Sequence, residues 1–321
     1  MDAKLYSAYI RILEQELVPA MGCTEPIAVA YASAMAAREL PGRPQKVHIC
    51  VSSNIIKNVK SVIVPNTDGL HGLEAAAAAG IIAGQPDKKL LVISEVTDAQ
   101  KKEIAAYLQQ AEFVVEESDG GELFDICIQL SMAGHKSLCR IAGDHTNVVR
   151  IERNGLPALE KEILAAAQDD ADKELLTIED IVTFAENVDI ADVKEVLDRQ
   201  IRCNMDIARE GMTRPYGARI GQVLLKTRGK DTVTMAKAWA AAASDARMNG
   251  CEKPVVINSG SGNQGITASV PVIIYAQDMG ATAEQLYRAL VVSNLVTIHL
   301  KTGIGPLSAY CPESGGPDGP D

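Results

Sequence analysis

The apolar weight of this chain is carried by small side chains. Hydrophobic residues make up 47% of it but aromatic residues only 4%, with three Phe, eight Tyr and one Trp. Ala is over-used and recurs in runs such as Ala75–Ala79 and Ala240–Ala243. Ala is the strongest helix former, and a helix faced with it can lie close to its neighbour. A core of closely packed Ala-rich helices is therefore expected somewhere in the 321 residues, a length that suits one large domain or two ordinary ones. Charged residues at 23% and a mean hydropathy near zero exclude bulk disorder.

The net charge of −11 comes without any Lys/Arg block, so neither nucleic acid nor an anionic membrane is an expected partner. No apolar run approaches the roughly 18–20 residues that span a bilayer. The N-terminus is an amphipathic, acid-bearing segment without the basic start or small-residue cleavage site of a secretory leader. A cytoplasmic protein is expected. Its seven cysteines, at 23, 50, 127, 139, 203, 251 and 311, are odd in number and widely spaced, with no CxxC. That pattern argues against a disulfide framework or a zinc finger.

The periodicities divide the chain in two, and the fold class expected is α+β. Helices are expected over residues 2–18 and from Thr24 to about Glu39, with Thr24 as N-cap and Pro26 harmless in the first turn. Strands then read at Val47–Val51, Lys89–Ser94, Phe113–Glu116, Leu123–Met132, Lys136–Ala142 and Val148–Glu152, with helices at Gly72–Ala83 and Asp98–Gln110. The nearly continuous apolar run at 89–94 reads as a central strand. From about Asp169 the pattern is helical: 178–186, 190–210, 217–226, 232–247, 265–277 and 282–300. The expected organisation is an α/β domain with a mixed sheet over 1–170, an all-helical Ala-rich domain over 171–311, and a disordered tail over 312–321. The acidic stretch Gln168–Asp172 reads as the linker.

Four segments could carry chemistry. In Cys23-Thr24-Glu25-Pro26 a cysteine precedes a helix start, where the dipole and unpaired N–H groups favour thiolate; a plain residue before a capped helix is the alternative. Asn258-Ser259-Gly260-Ser261-Gly262-Asn263-Gln264-Gly265 contains G-x-G-x-x-G at 260, 262 and 265. A dinucleotide site is rejected, because no βαβ context follows and Pro271 falls inside the supposed crossover helix. A polar glycine loop that holds a small anion remains, beside the alternative of a tight turn. Asn54-x-x-Lys57-Asn58 and Pro65-Asn66-Thr67-Asp68-Gly69 form the third segment, the latter suiting ordinary turn chemistry. The fourth runs from Ser293 through His299 and Lys301 to Cys311. A histidine on an apolar helix is more often a core residue than a base.

In this order, MGCTEPIAVAYASA, NIIKNVKSVIVPNTDGLHGLEAAAAAGIIAG, NSGSGNQGITASVPV and LVTIHLKTGIGPLSAYC resemble the L-cysteine desulfidase family, an otherwise uncharacterised group related to the iron–sulfur L-serine dehydratases. The resemblance implies a serine-dehydratase beta-type domain followed by an alpha-type helical domain. It implies α,β-elimination of L-cysteine to pyruvate, ammonia and sulfide without pyridoxal phosphate, at a [4Fe-4S] cluster that activates the leaving heteroatom. Cys23 would be the base that removes the α-proton and Cys311 a cluster ligand. Asn54, Lys57 and Asn258–Gly265 would hold the substrate carboxylate and amino group, with Thr24, Glu25 and Asn58 beside them. His71 and His299 would line the same pocket.

The chain departs from that pattern after Cys311. Family members continue with a Gly/Ala-rich helix and a segment near G-M-x-C-D-G-A-K, whereas PESGGPDGPD follows here. A truncated member is expected, with its cluster absent or incomplete and an exposed apolar face that favours a homodimer or poor solubility. Two other functions stay open: the sister elimination on L-serine, and an inactive chain that only binds a small amino acid.

Overall fold

The structure is a computed structural model and describes residues 2–60, 62–163 and 170–302. It forms two compact units, one holding the described residues of 21–163 and the other those of 2–20 and 170–302. The architecture is α+β, as the two periodicities require. The expected tail at 312–321 and residues 168–169 of the expected linker lie outside the described residues, and residues 170–172 of that linker are helical.

The first helix, α1 (Ala3–Glu16), belongs with the helical unit rather than with the α/β half in which it was expected. Its apolar stripe explains why. Tyr9, Ile12 and Leu13 are fully buried, the Tyr9 ring meets Phe184 edge-on at 5.3 Å, and its hydroxyl donates to the Leu175 carbonyl at 3.1 Å. Arg11 pairs with Asp172 at 2.7 Å on the outer side. The short strand β1 (Pro19–Met21) follows.

The α/β unit begins with α2 (Thr24–Arg38), whose residues from Thr24 to Ala36 are all buried. A helix apolar on every side can only be a central one. Cys23 takes the N-cap position expected of Thr24, which forms the first turn instead. Strand β2 (Lys46–Val51) leads into α3 (Ser53–Val59), an element the periodicity did not reveal, and then α4 (Leu73–Ala83) and α5 (Asp98–Gln110) follow. Strands β3 (Glu112–Glu117), β4 (Asp125–Met132), β5 (His135–Ala142), β6 (Val148–Arg153) and β7 (Leu156–Glu160) complete a six-stranded sheet in the order β3-β2-β4-β5-β6-β7. Only β2–β3 is parallel. Helix α2 lies along β4 and β5. Alternation sends Val47, Ile49, Ile126, Ile128, Leu130, Cys139 and Ile141 to the buried face.

One expected strand is absent. Residues 89–94 are not a central strand: Pro86–Leu91 forms a 3₁₀ turn with Lys89 at φ +48°. Leu90, Val92 and Ile93 are buried all the same. The apolar run reports burial, not extension, and the place beside β2 is taken by β3. Strand β7 was not expected, although Asn154-Gly155, at φ +52° and +79°, is the turn pair that favours a two-residue hairpin.

The helical unit contains α6 (Asp170–Lys173), α7 (Ile178–Asn187), α8 (Ile190–Thr213), α9 (Ile220–Arg228), α10 (Thr232–Met248), α11 (Gly262–Asp278) and α12 (Ala283–Thr302), with strand β8 (Pro254–Val256) pairing with β1. Helix α8 runs through the middle, against α10, α11 and α12. Small residues bring these helices together. A Cβ on Gly211 would overlap the Ala242 carbonyl oxygen of α10, and one on Gly221 would overlap that of Ala238. In the α/β unit, Gly80 of α4 meets the Ala30 carbonyl of α2 in the same way. Among the described residues no helix is long and apolar enough to cross a membrane.

Gly211→Ala provides the direct test of this packing. Helix propensity alone would stabilise the variant by about 1 kcal/mol, but the overlap with α10 backbone should destabilise it by about 1–3 kcal/mol net. Urea unfolding that shows Gly211→Ala equal to or more stable than the parent would contradict the close approach.

Candidate functional site

The Cys23 segment is shaped by two backbone requirements. Gly22 has φ +60°, and a Cβ there would collide with the Pro65 ring, so only glycine fits between the two segments. The chain then turns extended at Cys23 and helical at Thr24. Cys23 makes no side-chain cap bond to the first turn of α2. Its Sγ lies 3.0 Å from Glu25 Oε2, and the Thr24 hydroxyl donates to the same oxygen at 3.1 Å. On the other carboxylate oxygen, Asn58 Nδ2 donates to Glu25 Oε1 at 3.3 Å. Glu25 is fully buried. A buried carboxylate is tolerable only when donors surround it. Here a thiol, a hydroxyl and an amide do so, beside the positive end of a 15-residue helix. The arrangement sets the Cys23 thiol against a buried acid at a helix start.

Pro65–Gly69 supports this segment from behind. Asn66, buried and left-handed at φ +59°, donates from Nδ2 to the Ile93 carbonyl at 2.8 Å and contacts Met21 Sδ at 3.2 Å. The Thr67 hydroxyl donates to the Val64 carbonyl at 2.7 Å. The ordinary turn expected here is a brace for residues 21–22.

The glycine loop lies in the helical unit. After β8, Asn258 and Ser261 exchange main-chain bonds at 3.0 and 3.1 Å. Ser259 and Gly260 turn at φ +49° and +79°. Ser261 caps α11, accepting from Gln264 N at 3.3 Å. The helix therefore starts at Gly262, three residues earlier than expected. Each glycine of the motif has a local reason. Gly260 supplies positive φ, a Cβ on Gly262 would strike the Arg247 guanidinium, and one on Gly265 would strike the Val256 carbonyl. Helix α11 continues through Pro271.

Behind the loop runs a chain of buried amides that sequence reasoning missed. Gln200 and Asn294 exchange two bonds, at 2.9 and 2.8 Å, and Asn258 Nδ2 donates to Asn294 Oδ1 at 3.0 Å. Asn204 accepts from Val256 N at 2.8 Å and donates to the Gly265 carbonyl at 3.1 Å, tying strand β8 to α11. A signal existed in the sequence. Gln200 and Asn204 interrupt the apolar stripe Val193, Val196, Leu197, Cys203, Ile207 of α8, and Asn294 interrupts Leu290, Val291, Leu295, Ile298 of α12. Polar residues at core positions need partners.

The structure thus brings together Cys23, Thr24, Glu25 and Asn58 in one unit, and Asn258 through Gly265 in the other. Asn54 turns elsewhere, donating to the Leu123 carbonyl at 3.4 Å. Lys57 and His71 are exposed, and among the described residues no hydrogen bond or ion pair joins them to Cys23 or Glu25. His299 is half-buried on α12, and Cys311 lies outside the described residues. Among the described residues no three Cys, His, Asp or Glu side chains converge as a metal site.

The remaining described cysteines are held as thiols. Burial pushes Cys127 and Cys139 up to about 12, and raises Cys50, Cys203 and Cys251. At pH 8 the thiolate fraction of Cys127 and Cys139 is then on the order of 10⁻⁴. Brief iodoacetamide treatment of the folded protein should leave both unmodified, and the same treatment in guanidinium should modify both. Mass-spectrometric mapping that finds either one labelled at the rate of an ordinary exposed cysteine would contradict the raised pKa of these thiols.

Residues 87–314 match the family described as the serine dehydratase alpha chain. A UPF0597 protein of Desulfitobacterium hafniense is 56% identical over 315 residues, which cover 96% of this chain and 72% of that relative. UPF0597 proteins of Lachnoclostridium phytofermentans and Treponema denticola are 45% and 42% identical, covering 96% and 97% of this chain and 74% of each relative. The family match takes in strands β3–β7 as well as the glycine loop, and the UPF0597 likeness runs over nearly the whole chain. The chain belongs to the serine dehydratase alpha chain family, among relatives named UPF0597 proteins.

Proposed function

We propose that this protein is a serine-dehydratase-like lyase that eliminates the β-substituent of a small amino acid, with L-cysteine as substrate and Cys23 as the base. The observation that carries the reading is the Cys23 Sγ to Glu25 Oε2 contact of 3.0 Å at the start of α2. Glu25 takes the thiol proton, and the helix N-terminus stabilises the resulting thiolate. The thiolate removes the α-proton. The C–H electron pair becomes the Cα–Cβ double bond as the Cβ–S bond breaks, and sulfide departs with its bonding pair. The aminoacrylate so formed tautomerises to an imine, which water hydrolyses to pyruvate and ammonia.

The resemblance assigns activation of the leaving group to a [4Fe-4S] cluster with Cys311 as a ligand. The described residues do not assemble a ligand set for such a cluster, and no step above runs through it. The family description favours a second reading, the same elimination on L-serine with water as leaving group.

Pyruvate release from L-cysteine and L-serine, measured anaerobically before and after reconstitution with iron and sulfide, separates the readings. Turnover of cysteine well above serine supports the first, and the reverse supports the second. Cys23→Ser should lower kcat by about 10²–10⁴-fold with little change in ligand affinity. Glu25→Gln, which can still accept bonds but cannot take the proton, should lower kcat in the same direction. Full activity in Cys23→Ser would remove Cys23 from the mechanism.

A further inference from the structure

Two cysteines outside the candidate site face each other across the sheet. The antiparallel register of β2 and β4 sets Cys50 directly opposite Cys127. Two residues further along the same register, the Ser52 N–H donates to the Asp125 carbonyl at 3.0 Å. Hydrogen-bonded and non-hydrogen-bonded pairs alternate along such a ladder, so Cys50 and Cys127 form a hydrogen-bonded pair with Cα atoms about 5.5 Å apart. That separation lies near the middle of the range that disulfides span, roughly 4.4–6.8 Å. Among the described residues they are the one pair of cysteines opposed in a ladder.

The pair is also within reach of a reagent. Ile49, Val51, Ile126 and Ile128 take the buried face of the sheet, so alternation turns Cys50 and Cys127 to the other face, where both are half-buried free thiols. Glu116 of β3 and Arg140 of β5 flank them in the same row. Arg140 is committed to Asp125, at 2.8 and 3.0 Å. Among the described residues no third Cys, His, Asp or Glu joins the two sulfurs as a metal site.

We propose that Cys50 and Cys127 form a reversible disulfide in the folded chain, with a low-molecular-weight disulfide as the oxidant. The Cys50 thiolate attacks one sulfur of the reagent. The reagent S–S bond breaks, and one reagent thiolate leaves and takes up the proton that Cys50 lost. The Cys127 thiolate then attacks Cys50 Sγ, and the second reagent thiolate leaves and takes up the proton of Cys127. Two protein thiols are oxidised, and one reagent disulfide is reduced to two thiols. Burial raises both protein thiols and pushes Cys127 up to about 12, so Cys50 reacts first and slowly. The second step is intramolecular between opposed residues, which offsets the low thiolate fraction of Cys127. Opposed side chains have Cβ atoms about 4.5–5.5 Å apart, and a disulfide needs about 3.5–4.5 Å. Closure therefore draws β2 and β4 together by about 1 Å, and that strain places the bridge among readily reduced disulfides.

Incubation of the folded full chain with glutathione disulfide for several hours, anaerobically at pH about 8.5, tests this. After acid quenching and alkylation in guanidinium, non-reducing tryptic mapping should find the Cys50 and Cys127 peptides linked, and dithiothreitol should separate them. In Cys127→Ser, Cys50 should stop as a mixed disulfide with glutathione. In Cys50→Ser, Cys127 should remain a thiol. The parent mapping depends on no variant that must fold. Parent protein in which both residues stay thiols, carry separate glutathione adducts or bridge to other cysteines would overturn the proposal.

Discussion

The fold depends on helices that touch through backbone rather than through side chains. At Gly80 against Ala30, Gly211 against Ala242 and Gly221 against Ala238, the approach leaves no room for a Cβ. Such contacts gain dispersion over long stretches of main chain, but they cannot absorb a larger residue by repacking, because the opposing atom is a carbonyl oxygen. The scarcity of aromatics and the abundance of Ala follow from that geometry. So does the burial of α2 on all sides, since its neighbour α4 and the sheet both approach closely.

A core this tight makes polar residues within it consequential. It offers little space for water to satisfy a stranded group, so each buried amide must find a protein partner in a set geometry. Gln200, Asn258 and Asn294 meet that demand by bonding to one another, and Asn204 by bonding to main-chain groups of Val256 and Gly265. The result is a loop whose shape is determined. Glu25 follows the same rule at the start of α2, where the thiol of Cys23 is one of the donors its burial requires. The chemistry proposed for Cys23 is thus a by-product of satisfying a buried carboxylate.

Much of the secondary structure was legible because period and capping agree with burial. Helix α5 falls on the expected Asp98–Gln110, held by a capping box between Thr97 and Gln100. The misreadings share a cause. Residues 89–94 are apolar because they are buried, and a short apolar run carries no period to say whether it is extended. The helix α11 start was read late because its first residues are polar, although Ser261 and Gln264 form the cap. Helix α1 was assigned by its neighbours in sequence, but its ring contacts with Phe184 place it with helices more than 160 residues away.

Of the candidate site, sequence alone determined the local setting of its segments: a cysteine at a helix start, and a polar glycine loop before another helix. Those are properties of a few consecutive residues and their backbone preferences. Tertiary structure decided the partners. That Asn58 reaches the Glu25 carboxylate while Asn54 bonds to Leu123, and that Gln200 of α8 and Asn294 of α12 hold Asn258 of the loop, depend on contacts between residues far apart in sequence. A hydrogen bond has a range of about 3 Å, so its partner is chosen by packing, and packing is not written in any single stretch of chain.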